Sequence, residues 1–136
     1  MTARRQLVGA GSSRPARHSV GAGFSRPVLI LRVVLGPNTS IGPGKVRLLE
    51  AIGRVGSISA AARSLGMSYR RAWLLVASMN RTMRKPVVKT SAGGLRGGGA
   101  GLTPFGRELV ASYRRLERRA RKTLHRELGG LGRMAV

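Results

Sequence analysis

Apolar positions recur three and four apart along much of this chain, and glycine, proline and serine mark the places where that rhythm breaks. One stretch departs from it. Residues 28–35, Val-Leu-Ile-Leu-Arg-Val-Val-Leu, are an aliphatic, β-branched run of strand length, stopped by Gly36-Pro37-Asn38. The run does not alternate cleanly, which predicts a strand covered on both faces, inside the domain or against a partner subunit. After Pro43-Gly44, Lys45–Arg54 put Val46, Leu49, Ile52 and then Val55 on one stripe and Lys45, Arg47 and Arg54 on the wet side, as in a support helix.

The next stretch predicts a helix, a tight turn and a second helix that opens with arginines. Ser57 or Ser59 caps the short first helix, whose Ala60, Ala61 and Ala62 leave room for another helix to approach closely. Gly66 turns the chain, Met67 plugs the angle and Ser68 caps the second helix. From Tyr69 to about Met83, the residues Ala72, Leu75, Val76, Met79 and Met83 form the inner stripe. Ser68, Tyr69, Arg70, Arg71 and Leu74 are left outward near the N-terminus, where a recognition helix meets base edges. Trp73 has two readings, flanking that surface one turn beyond Tyr69 or filling the core, as buried aromatics more often do.

Pro86 breaks the second helix, and Val87–Thr90 begin an extended segment. A glycine-rich stretch, 91–101, and Leu102-Thr103 complete a β-hairpin of the kind called a wing, with Lys89 and Arg96 as its charges. The loop lacks the lysine and serine of a phosphate-cradling nucleotide motif. Thr103-Pro104 then starts a helix expected to run to about Leu128, ended by Gly129-Gly130. Its stripe of Phe105, Leu109, Tyr113, Leu116, Ala120, Leu124 and Leu128 predicts the seam of a two-helix dimer interface, since a helix about 36 Å long outreaches one small domain. Arg114, Arg115, Arg118, Arg119, Arg121, Lys122 and Arg126 form its opposite face, suited to solvent or to phosphate.

Charge sharpens this picture. The 136 residues hold 26 Lys+Arg against 4 Asp+Glu, none of them aspartate, for a net charge of +22. Such a surface attracts polyanions, duplex DNA first among them, although charge alone also suits ribosomal RNA or an anionic membrane. With no cysteine and two distant histidines, His18 and His125, neither disulfides nor a metal site is expected. No paired carboxylates and no Ser/His/Asp or Cys/His set are present, so the chain reads as no enzyme. No apolar run reaches the roughly 20 residues needed to span a bilayer.

Residues 1–26 mix Arg, Ser, Gly, Ala and Pro without periodicity, a basic arm expected to be disordered, whose composition also resembles an organelle transit peptide. Residues 27–128 form the expected domain, including the 104–128 helix, and 129–136 a flexible tail. The fold class expected is mainly α with a small β component, a winged helix-turn-helix.

Residues 43–128 resemble the N-terminal DNA-binding domain of the molybdate-responsive ModE regulators, grouped with the LysR-like winged helices. The resemblance rests on Gly-Ser-Ile-Ser-Ala-Ala-Ala-Arg (56–63), Met-Ser-Tyr-Arg-Arg-Ala-Trp (67–73), Met79-Asn80, the Gly93–Gly101 loop and Leu-Thr-Pro-Phe-Gly (102–106). The 28–35 strand fits the family's first strand, while 1–26 has no counterpart there and is attributed to an early start codon. Full-length members bind molybdate through C-terminal domains. No such segment stands before Val136, so no cofactor and no molybdate ligand is expected of these residues.

Taken together, the expected function is a cytoplasmic, nucleoid-associated transcriptional regulator that binds a pseudo-palindromic operator as a homodimer. Ser57, Ser59, Ser68, Tyr69, Arg70, Arg71, Trp73, Lys89 and Arg96 are the candidate contacts to double-stranded DNA. Phe105, Leu109, Tyr113, Leu116, Ala120 and Leu124 are the candidate dimer contacts. The competing expectation is an architectural protein that binds DNA by charge with little regard to sequence.

Overall fold

A proline at the first helical position loses no hydrogen bond there, and Pro43 opens the first helix without help from a side-chain cap. In the computed structural model, which describes residues 26–91 and 99–136, this helix is α1, Pro43–Val55. Val46, Leu48, Leu49 and Ile52 on it are fully buried. The expected stripe is therefore incomplete, because Leu48 joins it while Val55 stays exposed. Elements cover α1 from several sides, which buries residues off a single line, while the Val55 side chain remains exposed.

Ahead of α1 lie β1 (Val33–Gly36) and β2 (Thr39–Ile41), antiparallel, with Val33 opposite Ile41 and an irregular register between Val34 and Gly36. Pro37 and Asn38 thus make a turn between two strands, where the sequence suggested the end of a single long one. The expected burial of 28–35 on both faces is also corrected. Leu31 and Val33 pack with Ile41, Val46 and Tyr113, but Val28, Ile30, Val34 and Leu35 are exposed. Only one layer of side chains covers this segment, so one face stays wet.

Helices α2 (Ile58–Ser64) and α3 (Tyr69–Thr82) come next, then β3 (Val88–Ser91) and β4 (Gly99–Leu102), which pair antiparallel from Val88↔Leu102 to Ser91↔Gly99. The expected arm, in its residues 1–25, and Arg96 with its neighbours at 92–98 lie outside the described residues. The main core gathers Leu48, Leu49 and Ile52 of α1, Ala61 and Ala62 of α2, Ala72, Val76 and Met79 of α3, and Val87-Val88.

Thr103 caps α4, Pro104–Thr123, through a hydrogen bond that its Oγ1 accepts from the Gly106 amide at 2.9 Å. The single helix expected to Leu128 is instead interrupted at Leu124, and α5, His125–Gly132, runs through Gly129-Gly130. Beyond Glu117, α4 has no buried residue, and helices without a packed face lose their main support. The two glycines are tolerated in α5, where the Arg133 amide still donates to the Gly129 carbonyl at 3.1 Å. Leu29–Leu124 form one compact unit, and α5 lies outside it.

The seam expected along 104–128 is also revised. Phe105 and Leu109 pack against the main core, and Tyr113 is 3% exposed, its hydroxyl donating to the Leu31 carbonyl at 2.6 Å. Burial raises the Tyr113 pKa. The stripe's first half is spent inside the chain, leaving Leu116 and Leu124 exposed and Ala120 half-buried.

Candidate nucleic-acid interface

The α2–α3 pair is set by its ends. Ser57, not Ser59, caps α2, its Oγ accepting from the Ala60 amide at 3.0 Å, and Ser59 is exposed. Past α2 the Met67 amide donates to the Ala62 carbonyl at 2.9 Å and the Gly66 amide to that of Arg63 at 3.2 Å. This paired closure demands a left-handed residue, which Gly66 supplies at φ +66. Ser68 then caps α3, accepting from the Arg71 amide at 3.1 Å.

Burial of Ala72, Val76 and Met79 fixes the rotation of α3. On the other side Tyr69, Arg70, Arg71, Trp73 and Leu74 are all exposed. Trp73, 47% exposed, is on the surface, so its core reading fails; small Ala72 takes the inward place beside it. The side chains of Tyr69, Arg70, Trp73 and Leu74 line a shallow, open depression of about 360 Å³. No acidic residue stands in the first turn of α2 or α3, so the amide ends of both dipoles are uncompensated.

The β3–β4 hairpin is tied at two points, once to α3 and once to Gly56, the C-cap of α1. From α3, the Asn80 side chain accepts from the Val87 amide at 2.8 Å and the Val88 amide at 3.2 Å, while its Nδ2 donates to the Val88 carbonyl at 3.0 Å. On the other strand the Ala100 amide donates to the Gly56 carbonyl at 2.8 Å. Lys89 is exposed on β3, opposite Gly101. In the sequence Asn80 stands out only as part of a motif; its signal is a polar residue one position beyond the buried Met79, on the edge of an apolar stripe.

Acids are placed elsewhere. Glu50 of α1 accepts two hydrogen bonds from Arg114 of α4, at 2.9 and 2.7 Å, and Arg114 also reaches Glu117 at 2.8 Å. Those bonds hold the Glu50 carboxyl below its usual range and raise the Arg114 pKa. Glu117 also pairs with Arg121 at 3.4 Å. Arg114 and Arg121 of the expected basic face are thus engaged within the chain, and Arg115, Arg118, Arg119, Lys122 and Arg126 are exposed. Among the described residues no cluster of His, Cys, Asp or Glu could hold a metal, and no helix is long and apolar enough to cross a membrane.

Chemically, the arrangement offers exposed arginines at a serine-capped, acid-free helix start and, on β3 of the hairpin, the exposed Lys89. It defines a small, mainly helical and strongly basic protein with an exposed cationic surface. The chain is 51% identical over 84 residues to the molybdenum-pterin-binding protein MopB of Rhodobacter capsulatus, covering 62% of this chain and 31% of that protein. It is 35% identical over 97 residues to the transcriptional regulator ModE of Haemophilus influenzae, covering 71% and 38%. To the DNA-binding transcriptional dual regulator ModE of Escherichia coli it is 35% identical over 85 residues, covering 62% and 32%. The chain spans about a third of the length of these curated relatives, and the matches relate it to the ModE and Mop proteins. None of the three is named as an enzyme. No family model matches the chain.

Proposed function

We propose that this chain is a sequence-specific DNA-binding regulator of transcription, a winged helix-turn-helix of the ModE and LysR-like type acting in the cytoplasm on molybdenum-linked genes. The observation that carries this reading is the capped α2–α3 pair, which presents Tyr69, Arg70 and Arg71 outward at an acid-free helix start. In it, α3 enters the major groove, the Ser68 hydroxyl and nearby amides hold phosphate, and Arg70 and Arg71 face guanine acceptors. The β3–β4 hairpin is the wing, with Lys89 on the backbone. The molybdenum link rests on the names of the relatives.

The reading includes a homodimer, formed by the exposed Leu116 and Leu124. Leu116→Asp with Leu124→Asp then yields monomers in sedimentation, and a dimer that survives moves the interface elsewhere. Two copies present two α3 helices to successive grooves and call for an inverted repeat. Selection of bound duplexes from a random pool at physiological salt tests this directly. Enrichment of half-sites about one helical turn apart supports it. An unenriched pool overturns it in favour of the charge-driven architectural reading, which the net charge of +22 suits.

A further inference from the structure

Arg70, Leu74, Ala77 and Arg81 succeed one another at spacings of four, three and four, along the line of α3 opposite the buried Ala72, Val76 and Met79. An aliphatic side chain in that line is not part of the core. Leu74 is 53% exposed and the neighbouring Trp73 47%, and with Tyr69 and Arg70 they wall the 360 Å³ cavity. Isolated exposed apolar residues need no explanation, but these are contiguous and follow Arg70 and Arg71 near the start of one helix. The cavity is open and mostly apolar, with one cation, Arg70, in its lining.

Those properties select its occupant. The cavity lies on the surface proposed to meet duplex DNA, and its one lining cation, Arg70, is among the arginines proposed to face guanine. Within the major groove the base pairs offer donors, acceptors and a single kind of apolar group, the C5-methyl of thymine. We infer that Leu74 and Trp73 recognise thymine, each half-site placing a thymine methyl in the cavity between them. This rests on the reading of α3 as the helix that enters the major groove. Arginine contacts to guanine and methyl contacts to thymine then divide the specificity of one helix between its two exposed chemistries.

The test uses a duplex recovered from the random pool, resynthesised with deoxyuridine in place of each thymine in turn, so that only a methyl group is lost. The full chain is expected to bind at least one substituted position in each half-site about fourfold more weakly, the worth of one buried carbon. In Leu74→Ala or Trp73→Ala, both changes at exposed positions and checked for retained helicity by circular dichroism, that preference disappears. Lys89→Ala weakens binding through charge and keeps the preference. If no position senses its methyl, or if both cavity variants still do in full, the inference is overturned and the cavity serves another partner, such as an apolar peptide. A pool without an enriched sequence overturns the DNA-reading function and this inference together, whereas an enriched but methyl-insensitive sequence overturns the inference alone.

Discussion

Replacing Asn80 by alanine removes three hydrogen bonds at one stroke, two accepted from the amides of Val87 and Val88 and one donated to the Val88 carbonyl. Val87 is 0% exposed and Val88 3%, so water has little access to the groups left behind. A typical hydrogen bond contributes about 1 kcal/mol net, and a buried amide left without a partner costs about 1–3 kcal/mol. Allowing for partial relaxation, Asn80→Ala should destabilise the fold by about 2–4 kcal/mol, a large share of the roughly 5–15 kcal/mol typical of a folded domain. Denaturant unfolding gives the magnitude, through a lowered midpoint at unchanged slope. Hydrogen exchange gives the location, with the Val87 and Val88 amides losing protection ahead of the rest. A loss under about 0.5 kcal/mol, with both amides still protected, would refute the argument that this side chain pins β3 to α3.

Other perturbations probe separate joints. In Gly106→Ala the new Cβ would overlap the Val87 carbonyl, with the carbonyl carbon 3.0 Å away. Unfolding should show a loss of about 1–3 kcal/mol, despite alanine's better helix propensity. Glu50 carries a depressed carboxyl pKa through its bonds from Arg114. Its contribution is full above the ordinary glutamate range and lost as pH falls through the lowered value. Glu50→Gln should therefore flatten the acid limb of stability measured from about pH 6 to about pH 3. On a selected duplex, Arg70→Ala should cost about 1–3 kcal/mol and relax base preference, whereas Lys89→Ala should weaken all sequences alike and reduce the salt slope by about 1. Equal losses for Arg70→Ala on selected and scrambled duplexes would remove Arg70 from base contact.

What the sequence made legible was local. Ser57, Gly66, Ser68 and Thr103 act on amides and carbonyls within a few residues of themselves, so α2, α3 and the start of α4 stand close to where they were expected. The failures involve contacts made across the chain. Tyr113 is held by Leu31, 82 residues away, and nothing in the periodicity of 104–128 distinguishes a stripe spent on that segment from one offered to a second copy. Pro37-Asn38 was equally ambiguous, since a residue pair that stops a strand also turns one. At the candidate site, caps and exposed arginines could be read from spacing, while the rotation of α3 that exposes Trp73 depends on which side the core lies. Asn80's bonds to the Val87–Val88 backbone were hidden for the same reason.

Two of the four glutamates are turned onto Arg114, and this has a thermodynamic consequence. Glu50 ties α1 to α4 and Glu117 braces α4 against Arg114 and Arg121, so both are placed beside particular arginines, and the cations elsewhere in a chain of net +22 are left to repel one another. Rising ionic strength screens that repulsion and firms the fold. If the proposed DNA-binding function holds, the same ions compete with the protein for phosphates and loosen its hold. On that proposal folding and binding draw on the counterion atmosphere in opposite directions, and a bound polyanion would itself screen the repulsion that salt screens in the free protein.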